Sequence, residues 1–156
     1  MTPFEWSETN EKPSDGIAET DTNRLVYRLI GKNTFQPKQR GDSLQFDLRT
    51  PLTVWLPPFR KTIIDMDLQI TLPTKCRALI TSNRTLVSNK RVSVYFSDRI
   101  VGGRPTRIRA FLYNDSDVSR RLVKGDRVCK LQVYNSNKHD RNVSIIYDLD
   151  KHDEDF

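Results

Sequence analysis

The stretch IDMDLQITL, residues 64–72, alternates without a break. Ile64, Met66, Leu68, Ile70 and Leu72 share one parity, and Asp65, Asp67, Gln69 and Thr71 share the other. Successive side chains of an extended chain point to opposite faces, so this pattern predicts a strand with one apolar and one polar face. On a helix the same residues would spread around the whole axis. A strand of this kind sits on a core on one side and in water on the other, as antiparallel sheets do.

Similar short runs recur at LVYRLI, LTVWL, CRALIT, RVSVYF, TRIRAFLY, RVCKLQVY and VSIIYDL. Turn-forming residues separate them at Pro57-Pro58, Pro73-Thr74, Ser88-Asn89, Gly102-Gly103, Asn114–Asp117 and Gly125-Asp126. The expectation is an all-β sandwich or barrel such as a jelly roll, with no helix. Trp55, set between Leu52, Val54 and Leu56, is expected to pack in the core or on the sheet. Residues 1–23 are polar and carry scattered acids, so they read as a flexible N-terminal arm. Residues 24–150 form the β domain, and 151–156 an acidic tail.

At 156 residues and 36% hydrophobic content, the chain can build one domain with a real core. No apolar run approaches the roughly 20 residues of a membrane span. The opening MTPFEWSETNEKPSDG lacks the apolar centre of a signal peptide. Cys76 and Cys129 lie far apart in apolar patterns and read as reduced and buried, which suits a cytoplasmic or nuclear setting. The net charge of +6 admits nucleic acid, nucleotide phosphates or an acidic partner. The basic side chains gather between residues 84 and 127, with Tyr95, Phe96, Phe111 and Tyr113 interleaved, so a nucleic-acid-binding β-module is one alternative.

RIVGGRPTR, residues 99–107, invites comparison with a phosphate loop. A P-loop needs Lys and Ser or Thr after its second glycine and opens a helix; here Arg104-Pro105 and an alternating strand follow. A β-hairpin turn is the simplest local reading. His139 and His152 have no ligand-spaced partners, so no metal site can be assigned.

VKGDRVCKLQVY, residues 123–134, joins a charged Gly-Asp turn to a strand with Cys129, Leu131 and Val133 on one face. This resembles the dUTPase family, whose signature here is Gly-Asp-Arg-Ile-Ala-Gln-Leu, against Gly125 to Leu131 in this chain. The likeness continues in order over about residues 25–153. FQPKQRGDSLQFDL is similar to the lead into a Gly-Tyr-Asp-Leu motif, with Phe46-Asp47-Leu48 matching. TVWLPPFRKTIIDMDLQITLP resembles the proline-led strand that ends in Leu-Pro, and SNRTLV falls on the Pro-Arg-Ser-Gly-Leu-Ala motif. FLYN matches the strand end before the Gly-Asp turn, and IIYDLD the segment before the final arm. The resemblance implies a jelly-roll or β-clip protomer and a homotrimer with sites between subunits. It also implies hydrolysis of dUTP to dUMP and pyrophosphate with magnesium. Asp47, Arg84, Gly125, Asp126 and Lys130 are then candidate nucleotide-binding residues.

The departures are specific. The family's Ile-Asp-x-Asp-Tyr-x-Gly motif falls on residues 100–106, where the Asp positions and the Tyr are replaced by Val101, Gly103 and Arg104. Arg104 cannot act as a base, because its guanidinium stays protonated. Asp98 is the nearest substitute carboxylate, with Asp47, Asp65 and Asp67 further candidates. Asn83 and Arg84 take the places of Arg and Ser in the phosphate motif, and Lys130 replaces Gln. DLDKHDEDF stands where the family has a glycine-rich lid, and acids there repel a triphosphate. Similar departures mark the dUTPase-like early-region-four protein of adenoviruses, which acts through host proteins. The expectation is therefore a viral binding or regulatory protein without hydrolysis or a resident cofactor, taking magnesium only with dUTP. The alternative is a divergent active nucleotidohydrolase.

Overall fold

The computed structural model describes residues 5–8 and 24–135. The strands are β1 (Glu5–Glu8), β2 (Arg24–Leu29), β3 (Lys38–Gln39), β4 (Gln45–Arg49), β5 (Val54–Leu56), β6 (Lys61–Thr71), β7 (Cys76–Ser82), β8 (Val92–Phe96), β9 (Ile100–Val101), β10 (Thr106–Asn114), β11 (Arg120–Leu122) and β12 (Arg127–Asn135). One five-stranded sheet has the order β1-β2-β6-β10-β8, and a second has the order β3-β4-β12-β7-β9. β5 and β11 form a separate two-stranded ribbon. The only parallel pair among these strands is β1 with β2. The fold is a jelly-roll-like β-clip, as expected, and not a closed barrel.

The alternation of β6 sets the core. Ile64, Met66, Leu68 and Ile70, with Leu72 just beyond, are all buried, and Asp65 is exposed. They pack in one cluster with Phe46 and Leu48 of β4, Ile80 of β7, and Leu131 and Val133 of β12. The second sheet thus closes over the first. β6 also carries a bulge: Arg107 faces Gln69 and Arg109 faces Asp65, so three residues of β6 oppose Ile108. Two extra residues keep the phase of a period-two pattern, which is why Met66 and Leu68 both still point inward. Asp67 sits in the bulge at φ 52°. Arg107 Nη2 holds it from outside, 3.1 Å from Asp65 Oδ2 and 3.3 Å from Asp67 Oδ1.

Several expectations are corrected. Residues Arg84–Lys90 form a helix, α1, where no helix was expected. Asn83 caps it, its Oδ1 accepting from Leu86 N at 2.9 Å, and Arg91 ends it at φ 57°. Gly102-Gly103 does not close a β-hairpin. β9 pairs with β7 in one sheet while β10 pairs with β6 and β8 in the other, so the glycines carry the chain between sheets. They stack on the 73–76 turn, which makes the same crossing between β6 and β7. Trp55 is not a core residue: it is 61% exposed on the β5–β11 ribbon, beside Arg121, whose Cζ lies 5.9 Å from the ring centroid. Of the expected flexible arm, Glu5–Glu8 is an edge strand, and the rest lies outside the described residues. The 151–156 tail and the VSIIYDL run also lie outside them.

Both cysteines are buried thiols outside any disulfide. Cys129 opposes Ser82 and Cys76 opposes Asn135, at opposite ends of the β7–β12 pairing. That separates them by about 20 Å at roughly 3.3 Å per residue, well beyond disulfide reach. Burial, with a smaller contribution from the Asp47 charge, pushes the Cys129 thiol up to about 12 from 9.0. The stability this lends is complete below pH 9 and is lost as pH rises toward 12. A disulfide reagent at pH 8 is expected to label neither thiol in the folded protein and both in denaturant. Rapid native labelling would show that the strand opens readily.

Candidate active site

The described residues hold a cleft of about 640 Å³ on the outer face of the second sheet. Its floor is the cross-strand pair Asp47 and Lys130, which are Cα partners between β4 and β12. β12 has one extra residue at Val128, because Arg127 faces Arg49 while Cys129 faces Leu48. That bulge sends Cys129, Leu131 and Val133 into the core and turns Lys130 outward into the cleft. The walls are Arg40, α1 with Arg84 and Lys90, and the turn with Asp126 and Arg127.

The electrostatics are lopsided. Five cationic side chains, Arg40, Arg84, Lys90, Arg127 and Lys130, face two carboxylates, Asp47 and Asp126. Asp47 is only 6% exposed. Arg40 Nε and Arg127 Nη1 each lie 3.8 Å from its Oδ2, too far for good hydrogen bonds, and its buried Oδ1 has no partner. Among the described residues, neither Arg84 nor Lys130 makes a side-chain hydrogen bond or ion pair. Desolvation, then the charges of Arg40 and Arg84, pull Lys130 below its usual 10.5, against the pull of Asp47. A group in that position costs stability while protonated, and the cost eases as pH rises through its lowered folded value. Lys130→Gln is therefore expected to raise Tm at pH 7 while weakening anion binding by about tenfold or more. A thermal melt paired with an anion titration checks both directions.

The remaining candidate residues divide. Gly125 is a turn residue at φ +93°, its N–H donating to Thr50 O at 2.9 Å. Asp126 lines the cleft, but its Oδ2 already accepts from Val123 N at 2.8 Å. Val101, Gly103 and Arg104 lie elsewhere. Val101 pairs with Arg77 near the start of β7, whereas α1 follows its end. At roughly 3.3 Å per residue, this puts the turn about 20 Å from the cleft within one protomer. Asp98 gives both oxygens to Arg109, at 2.9 Å each. Asp65 and Asp67 are held by Arg107. Part of the basic stretch is already compensated, since Arg91 pairs with Asp115, Arg107 with Asp65 and Arg109 with Asp98. Arg40 was not picked out from the sequence, and Lys90 and Arg127 were read only as part of the basic stretch between residues 84 and 127. Only Arg127, next to the Gly-Asp turn, carried a local signal.

Among solved structures, the dUTPase of Staphylococcus bacteriophage 80alpha with dUpNHpp superposes with a TM-score of 0.66 at 22% identity, over 73% of this chain and 83% of that one. A variant dUTPase from phage phi11 of S. aureus superposes with a TM-score of 0.63 at 17% identity, over 71% and 90% respectively. These likenesses show the fold. No curated protein matches this chain. The dUTPase family model matches residues 32–155, spanning the cleft, the crossover turn and the Gly-Asp turn. With that match and the β-clip around an anion-favouring cleft, the chain belongs to the dUTPase family.

Proposed function

We propose that this protein keeps the family's cleft as an anion-binding site, has given up dUTP hydrolysis, and acts as a binding or regulatory protein, excluded from catalysis by its own crossover turn. The observation that carries this reading is that turn. Where the family places its carboxylates, this chain has Val101 and Gly103, and Gly102 between them is packed against the backbone carbonyls of Pro73, Thr74 and Cys76. A side chain cannot be added at Gly102 without moving the turn, and Gly103 sits at φ +76°, where any other residue is strained. Asp98, the nearest substitute, is engaged at both oxygens by Arg109. A general base must reach the water it activates, and loss of one typically costs about 10²–10⁴ in rate.

Family members are homotrimers. The separation of about 20 Å between cleft and turn suits a site completed by a neighbouring subunit. A resident magnesium ion does not fit the cleft: one buried carboxylate among five cations lacks the oxygen cage such an ion needs. Magnesium would enter on the nucleotide, as part of the ligand. A regulatory role has a counterpart in the fold, since phage dUTPases control transfer of virulence genes by a proto-oncogenic G protein-like mechanism. For this chain the partner would be a host or viral protein.

Calorimetric titration with dUpNHpp tests the binding half. Saturable binding that weakens in Arg84→Ala and Lys130→Gln supports the reading. Binding unchanged in both variants would remove the cleft from it.

A further inference from the structure

We infer that the outer face of the β5–β11 ribbon is a docking surface for another protein, and that it takes an extended segment carrying both acidic and large apolar side chains. The ribbon pairs Val54 with Leu122, Trp55 with Arg121 and Leu56 with Arg120. Leu56 and Leu122 are buried, so Trp55 and Arg121 point away from the core. Continuing the alternation puts Pro57 and Val123 on that same face, and both are exposed. Leu52 before β5, with Phe59 and Val118 at the far end of the ribbon, is exposed as well. Leu52, Trp55, Phe59, Val118 and Val123 are half of the ten large apolar side chains left in water among the described residues. Singly scattered exposure does not gather in this way on one small element.

Phe59 separates the needs of the fold from those of the surface. It is 56% exposed, so it adds little to the core. Its φ is 52°, a conformation that strains a bulky residue and that glycine takes freely. Phe59 N donates to Ser116 O at 3.2 Å, which ties this loop to the turn before β11. Neither packing nor backbone geometry calls for an aromatic ring there, so its use lies outside the fold.

Charge sets the kind of partner. Arg60, Arg121 and Lys124 are exposed and make no ion pair among the described residues. Against them the ribbon and its loops set Asp117, since Asp115 is taken by Arg91. Arg121 lies over the Trp55 ring, its Cζ 5.9 Å from the centroid, which holds a cation and an aromatic surface side by side. Tryptophan and arginine are the side chains that most often dominate binding energy between proteins. A nucleic-acid strand fits less well, because Leu52, Val118 and Val123 offer a base nothing to stack on and three cations meet few phosphates. From Thr53 to Phe59 the ribbon runs up to about 20 Å, room for an extended segment of about six residues. None of these side chains lines the cleft, so the inference stands or falls apart from the anion site.

A phage-displayed library of random octapeptides, panned on the full chain, supplies the test. The expected result is recovery of peptides that carry both acidic and large apolar residues. They should bind the unaltered chain about tenfold or more tighter than Trp55→Ala, Phe59→Gly or Arg121→Glu. Phe59→Gly is expected to keep or raise the urea midpoint, so its loss of binding cannot come from unfolding. Peptides that bind all three variants as tightly as the unaltered chain overturn the proposal, and so does failure to recover any acidic, apolar sequence. Binding that falls in Lys130→Gln and not in the ribbon variants places the peptide in the cleft and overturns it too. Two further results name a different occupant and overturn it: single-stranded oligo-thymidylate binding that Trp55→Ala abolishes, or a smaller sedimenting mass for Trp55→Ala, which makes this face an interface between copies.

Discussion

Gly102→Ala is expected to destabilise the fold by about 3–5 kcal/mol, one of the largest effects open to a single substitution here. A Cβ at this position would stand 2.1 Å from Pro73 O and 2.7 Å from both Cys76 O and Thr74 O. All three atoms are backbone, so no side chain can swing aside. The two crossovers would have to separate, and a short bond joins them: Gly103 N donates to Leu72 O at 2.9 Å, while the 73–76 turn is closed within itself by Cys76 N donating to Pro73 O at 2.9 Å. Total stability of a domain is about 5–15 kcal/mol, so the variant should be largely unfolded at modest urea concentrations. Urea unfolding measures this directly, and a loss below about 1 kcal/mol would mean the crossover is looser than the contacts require. Restoring an acid next door at Gly103 is not a neutral reversion either, since that residue sits at φ +76° and a Cβ there would stand 3.3 Å from Thr74 Cγ2. The turn has been built into the packing.

Asn114→Leu carries the second large effect, also about 3–5 kcal/mol. Asn114 is 0% exposed. Its Nδ2 donates to Leu56 O at 3.0 Å, Pro57 O at 3.1 Å and Val118 O at 2.9 Å, while its Oδ1 accepts from Ser116 Oγ at 2.6 Å. One side chain thereby joins the end of β10 to the loop after β5 and to the turn before β11. Leucine keeps the volume but strips those carbonyls of a donor, and each buried group left unpaired costs about 1–3 kcal/mol. The losses share one network, so they will not add in full. Asn114→Asp is expected to be at least as harmful, since it points an oxygen at three carbonyl oxygens. Denaturant unfolding of both variants tests this, and wild-type stability in either would refute the network's role.

The legible parts of the sequence were those governed by a local rule. The β6 pattern announced its buried face because strand periodicity is strict, and the bulge at Asp67 preserved it by adding two residues. Helix α1 went unread because it is short and its start is marked only by Asn83, a residue equally at home in a turn. Gly102-Gly103 announced a turn but not which sheets it joins, since pairing is decided by partners distant in the chain. Trp55 lay in an apolar run, yet the run belongs to a narrow ribbon with one face in water.

The cleft was half legible. Asp47, Arg84, Asp126 and Lys130 were found through motif resemblance, and they do converge. Their juxtaposition depends on the register of β4 and β12, which the extra residue at Val128 shifts by one. No periodic reading supplies that shift. Arg40 lies on a connection outside any pattern, and Lys90 at the end of a helix that was not foreseen. Asp126 looked like a ligand and is in addition the brace of its own turn.

Pyrophosphate release from dUTP with magnesium, by the full-length chain, tests the central claim most directly. The account predicts no release above the protein-free rate, even though the chain binds dUpNHpp. Release that scales with protein concentration and vanishes on Asp98→Asn would contradict it, by showing that a working base exists beside the crossover.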